Sequence, residues 1–133
     1  NLQYMGPNGS GQAIKLINNM IAAISVTGLA EGMLLADSLG LSRAKVVQAL
    51  ENAPITSQYL RMKFDNFVKE NYDVAFSMVN MRKDLRLALS SLSKDKKKLD
   101  LPLLKLTEKL FSKGVESGLA QKDLSSVINI IGK

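Results

Sequence analysis

Gly6-Pro7-Asn8-Gly9-Ser10-Gly11-Gln12-Ala13-Ile14-Lys15-Leu16-Ile17-Asn18-Asn19 is a glycine-punctuated turn that runs directly into a long apolar segment without proline. As far as about Leu39, apolar residues recur at Ile14, Ile17, Ile21 and Ile24, with Met20, Val26, Leu29, Met33 and Leu34 on neighbouring faces. That spacing predicts a single helix, about 40 Å long at the usual rise per residue. Between Met20 and Ala30 it is apolar nearly all round, which predicts a central position with other helices on most sides. Lys15 interrupts this rod near its start, and Asn18 and Asn19 follow at spacings that bring helical side chains together.

Punctuation residues divide the remainder into shorter helices. Gly40 is placed to end the long helix in the left-handed conformation, and Ser42 to cap a second running from Arg43 to about Asn52, which Pro54 stops. Ser57 caps a third, through Tyr59, Leu60, Met62, Phe64, Phe67 and Val68. Tyr72 to Phe76 reads as extended, and a fourth helix from about Val79 sets Met81, Leu85, Ala88, Leu89 and Leu92 against Arg82, Lys83, Asp84 and Arg86. Ser93 to Asp100 is a lysine-rich connector, read as a solvated loop because no aromatic is interleaved for base stacking. Pro102 fits the first turn of a fifth helix that Gly118 can end, and Asp123 can cap a last short one from Leu124 to Ile131. Gly28 and Gly32 suit close approach of a neighbouring helix. There is no strand pattern and no internal repeat, so the expected class is all-α.

Composition narrows the chemistry. The 133 residues suffice for one domain with its own core, built from Leu, Ile, Ala and Met. There is no Cys and no His, which removes disulfides, thiolate and imidazole metal ligation, and both Ser-His-Asp and Cys-His catalysis. Proton transfer would fall to Lys, Asp, Glu or Tyr. A net charge of +6 favours anionic partners without choosing among them. The charge-free run from Leu16 to Ala30 is shorter than the ~18 residues of a membrane span, and no signal peptide is visible, so the expectation is a soluble, cytoplasmic protein without membrane or nucleic-acid partners.

The glycines do not make a dinucleotide fingerprint, because Gly9-x-Gly11 is followed by Ile14 and no strand precedes it. They suit instead a close approach of backbone to a partner at a helix N-terminus. For Lys15, the commoner reading of a lysine in an apolar helix is that its head snorkels to water. The adjacent Asn18 and Asn19 allow another, in which carboxamides hold the amine and a ligand oxygen together and desolvation lowers the lysine pKa. Lys83-Asp84 alone reads as a surface ion pair.

The pattern G-x-x-G-x-G-x-x-x-K-x-x-N-N over Gly6 to Asn19, Glu31 and Gly40-Leu41 about the long helix, Phe76 ahead of Lys83-Asp84-Leu85-Arg86-Leu87-Ala88-Leu89, and the late Gly118 and Asp123 together resemble the C-terminal domain of the β-hydroxyacid dehydrogenase family. That family includes 3-hydroxyisobutyrate dehydrogenase, tartronate semialdehyde reductase and the glyoxylate/succinic semialdehyde reductases, and the resemblance covers essentially the whole chain. It implies a bundle of about six helices around one long central helix, as in 6-phosphogluconate dehydrogenase-like enzymes. Residues 1–10 would be a lead-in loop from an N-terminal Rossmann domain, and residues 11–133 a catalytic, substrate-binding and dimerisation domain.

By that resemblance Lys15 is the general acid/base, Asn19 binds substrate with Asn18 supporting it, and Gly11 lies close to substrate. Lys83 sits beside the cofactor, Asp84 is its active-site neighbour, and Phe76 closes the pocket. The implied partners are NAD or NADP, held mainly by the Rossmann half, a small hydroxyacid or semialdehyde, and a second subunit packed along the long helix in a homodimer or larger assembly. The related 6-phosphogluconate dehydrogenases show K-x-x-H-N where this chain has Asn18, which implies a small hydroxyacid rather than a phosphosugar acid. Non-catalytic chromatin relatives lack the lysine that is present here. These residues include no Rossmann half, so alone they are expected to be inactive. The alternative expectation is a non-catalytic helical dimerisation or interaction module.

Overall fold

The computed structural model describes residues 6–92 and 99–133. The Lys94, Lys96, Lys97 and Lys98 connector and the first five residues of the predicted lead-in loop lie outside the described residues. Five α-helices follow one another: α1 (Ser10–Ser38), α2 (Arg43–Leu50), α3 (Gln58–Lys69), α4 (Met78–Leu92) and α5 (Pro102–Gly114). A wide π-type turn, Val115–Leu119, continues α5, and a 3-10 turn, Leu124–Asn129, ends the bundle. Every expected helix is present, the last as a 3-10 turn rather than an α-helix. Among the described residues the only strand-like feature is an isolated bridge between Ser77 and Asp123.

Local chemistry fixes the boundaries. Gly9, at φ 98°, turns the chain into α1. At the other end Gly40, at φ 72°, lets the Leu41 N–H donate to the Ala36 carbonyl at 2.9 Å and its own N–H to Asp37 at 3.1 Å, a Schellman closure. Ser42 and Ser57 cap α2 and α3 through their hydroxyls, which accept from the amides of Lys45 and Leu60. Arg43 then ties three elements together, donating to Asp37 on α1, Glu70 after α3 and the Phe67 carbonyl.

The core is made where small residues of α1 meet large ones from elsewhere. Ala23, Val26, Ala30 and Met33 pack with Phe67 of α3, Met78, Met81 and Leu85 of α4, Leu104 and Phe111 of α5, and Leu124, Val127 and Ile128 of the final turn. Gly114 permits this closeness, because a side chain there would run into Met78.

As expected, α1 is central and packs against α2, α3, α4, α5 and the final turn, but one strip of it is left uncovered. Ile17, Ile21, Leu35 and Leu39 are 53%, 55%, 60% and 66% exposed, and Ile14 is also exposed. With Gly28 and Gly32 they fall on one strip at helical spacing. A Cβ at either glycine would meet nothing within 4 Å, so neither glycine serves packing among the described residues. By length and composition α1 could cross a bilayer. Its opposite face, however, carries the core of the bundle.

Candidate functional site

Lys15, Asn19, Ala23, Val26, Ala30 and Met33 lie on one face of α1 by their spacing. The last four are buried. The first two extend the same face beyond the packed core, so that the core stripe opens into a polar cluster at the N-terminal end of the helix. Opposite stands Asp84 of α4, beside the core residues Met81 and Leu85, with its side chain 3% exposed. Asn19 Nδ2 donates to Asp84 Oδ2 at 2.7 Å, and Lys15 Nζ stands 3.9 Å from the same oxygen. Asp84 Oδ1 is buried and has no hydrogen-bond partner among the described residues. Asn18 Nδ2 lies 3.4 Å from Asn19 Oδ1 and extends the network outward.

Lys15 is thus not buried, and its amine reaches solvent beside Asp84. Its side chain is 55% exposed, and 3.9 Å is an ion-pair separation rather than a hydrogen bond. The desolvation expected from an enclosed helix is absent at Lys15, because the end of α1 projects past the core. Held loosely by Asp84, the ammonium can reach a group arriving from solvent and pass it a proton.

Two openings lie on the elements that carry the cluster. One, of about 370 Å³, is lined by Asn18, Asn19, Ile21, Ala22, Ser25, Ser57, Tyr59, Phe76 and Met81. Phe76 thus lines the same opening as the two asparagines. Burial, with the Asp123 charge adding to it, pushes the Tyr59 phenol up to about 12, so it stays a neutral hydroxyl. The other opening, of about 480 Å³, runs along α4 between Asn80, Arg82, Lys83, Arg86 and Ser90. Lys83 therefore lies on a cationic groove rather than in the Lys15 cluster. Gly11 is exposed in the first turn of α1, where a Cβ would meet nothing within 4 Å.

Sequence reasoning missed Lys63. It is buried on α3, and its Nζ donates to both Asp123 oxygens, at 2.9 and 2.8 Å. Its signal was positional: Tyr59, Lys63, Phe64 and Phe67 share the apolar face of that helix, so the cation falls where a core residue belongs. Asp123, expected only to cap the last turn, also accepts from the amides of Ala75 and Phe76 and from Asn66 and Ser125.

The charge of the α4 groove suits the anionic phosphates of a nucleotide. The α4 groove offers the cations Lys83, Arg82 and Arg86 to an anionic ligand, while the unpartnered Asp84 oxygen is buried beneath the exposed Lys15 amine. The described residues contain no glycine-rich loop after a strand to hold a pyrophosphate.

Comparison with known proteins agrees with this fold. Residues 9–131 match the family model described as NAD-binding of NADP-dependent 3-hydroxyisobutyrate dehydrogenase. Glyoxylate/succinic semialdehyde reductase 1 of Arabidopsis thaliana is 32% identical over 128 residues, which make up 96% of this chain and 44% of that protein. The 2-hydroxy-3-oxopropionate reductase of Escherichia coli K12 is 29% identical over 98% of this chain and 44% of its own length. Among solved structures, Mycobacterium tuberculosis 3-hydroxyisobutyrate dehydrogenase with L-serine superposes with a TM-score of 0.85 at 25% identity, covering 98% of this chain and 46% of that one. The chain spans less than half the length of each of these relatives.

Proposed function

The chain belongs to the 3-hydroxyisobutyrate dehydrogenase family of NAD(P)-dependent oxidoreductases, as its C-terminal all-α domain, and from that premise we propose that it supplies the proton-transfer and substrate-binding groups of a short-chain hydroxyacid dehydrogenase or semialdehyde reductase. The observation that carries this reading is the convergence of Lys15 and Asn19 from α1 on the buried Asp84 of α4, with the lysine amine left facing solvent. A purely structural helix pair has no need of an orphaned buried carboxylate oxygen beside an exposed amine.

A bound nicotinamide would supply or accept the hydride. In the reducing direction the Lys15 ammonium gives a proton to the substrate oxygen, and in the oxidising direction the neutral amine takes it back. Asn19, with one amide hydrogen held by Asp84, keeps its orientation and offers its remaining donor and acceptor capacity to substrate. Asp84 holds the positive charge of Lys15 at the site without forming the close bond that would occupy the amine. Phe76, in the wall of the cavity that the asparagines also line, closes the pocket. Lys83, in the α4 groove, would lie beside the cofactor, NAD or NADP. Asn18 supports Asn19, and Gly11 leaves the approach over the first turn unobstructed. The exposed strip of α1 carries self-association, in a dimer or larger assembly.

The full-length protein that contains this chain should oxidise NADPH or NADH when glyoxylate or succinic semialdehyde is added, followed by the absorbance of the reduced nicotinamide. No oxidation with either aldehyde, and no reduction of NADP or NAD with 3-hydroxyisobutyrate or L-serine, would contradict the reading and favour a non-catalytic interaction module.

A further inference from the structure

Lys63 and Asp123 form an ion pair that neither belongs to the Lys15 cluster nor touches it, and both side chains are almost fully buried, at 4% and 0% exposure. A buried pair of this kind is not an economical way to gain stability, because desolvation consumes most of the Coulomb attraction and well-packed apolar residues serve as well. Its partners indicate another use. Asp123 Oδ2 accepts from the backbone amides of Ala75 and Phe76 at 3.1 and 3.2 Å, while the Phe76 carbonyl accepts from the Leu124 amide at 2.9 Å. Both backbone groups of Phe76 are therefore fixed by the 123–124 segment. One turn of α3 before Lys63, the Tyr59 ring lies under the ammonium, 5.7 Å from Nζ to ring centroid. Phe76 and Tyr59 are the two aromatic residues in the wall of the 370 Å³ cavity that also holds Asn18 and Asn19.

We propose that Lys63 and Asp123 are positioning residues: the pair sets the aromatic wall of the substrate cavity, and so the fit of the bound substrate, without taking part in proton transfer. Only an ionised carboxylate can accept from Lys63, Ser125 and two consecutive backbone amides together, and only a buried cation can both neutralise it and stack on Tyr59. The proposal rests on the reading of this cavity as the substrate site.

The test is steady-state kinetics of the full-length protein at saturating cofactor, using whichever of glyoxylate and succinic semialdehyde the wild type reduces. Lys63→Met should raise KM for the aldehyde about tenfold and leave kcat nearly unchanged, because a displaced wall weakens binding while Lys15 and Asp84 keep their geometry. Ser125→Ala removes the 2.7 Å bond to Asp123 and the 2.8 Å bond that the hydroxyl accepts from Asn66, and leaves the ion pair in place. It should raise KM in the same direction by roughly two- to threefold. A purely structural role predicts the opposite split, with kcat falling in proportion to the folded fraction at constant KM. Unchanged KM in the folded variants overturns the proposal, and if circular dichroism shows that Lys63→Met does not fold, Ser125→Ala decides it. Absence of wild-type turnover overturns the reading of the site itself and this inference with it.

Discussion

Asp123 remains a carboxylate at zero exposure because its environment was built around the charge. Burial works to raise its pKa, but the hydrogen bonds from Lys63 and Ser125, with the backbone amides, outweigh it and hold the group below the ordinary carboxylate range. A native-state pKa lowered relative to the unfolded chain means that the ionised form stabilises the fold. That contribution is fully present above the unfolded value of about 3.9 and is lost as pH falls through the lower native value. Urea unfolding of the wild type and Asp123→Asn across a pH series should therefore show a wide stability gap at neutral pH that closes in acid. A gap independent of pH would mean that the charge at Asp123 contributes nothing. Asp84 differs in kind: it too is buried, but one of its oxygens has no hydrogen-bond partner among the described residues and its cationic neighbour stands at 3.9 Å.

At the scale of elements, α1 divides its circumference between two uses. One face packs against α3, α4, α5 and the final turn, and the other presents Ile14, Ile17, Ile21, Leu35 and Leu39 to solvent. An apolar strip of this length on an isolated surface is characteristic of a protein interface. Ile17→Glu combined with Ile21→Glu should lower the mass of the full-length protein in sedimentation to that of a smaller assembly while helical content is retained. An unchanged mass would remove α1 from the interface. The helix boundaries were legible in the sequence because their signals are local: Gly40, Ser42, Ser57 and Pro102 act within a turn of where they stand. The two faces of α1 were not legible, since hydropathy reports that a face avoids water and not whether a segment of the same chain covers it. Lys63 escaped notice because its meaning depends on Asp123, 60 residues further on, which only the fold brings within reach.

For the molecule as a whole, the site lies where the core stripe of α1 emerges from the bundle, and the residues singled out in sequence divide accordingly. Lys15, Asn19 and Asp84 meet directly, Asn18 and Phe76 line the cavity beside them, and Lys83 occupies the neighbouring groove. The spacing of Lys15 and Asn19 was visible along one helix. Their convergence with Asp84, 65 residues beyond Asn19, needed the packing of α1 on α4. The central claim is that this convergence makes Lys15 the proton-transfer group, and its most direct test is the turnover of Lys15→Ala in the full-length protein at saturating aldehyde and reduced cofactor. The lysine is half exposed and only loosely paired, so the variant should fold as the wild type does. The account predicts a fall in kcat of roughly 100-fold or more with cofactor binding retained, and near-wild-type turnover would contradict it.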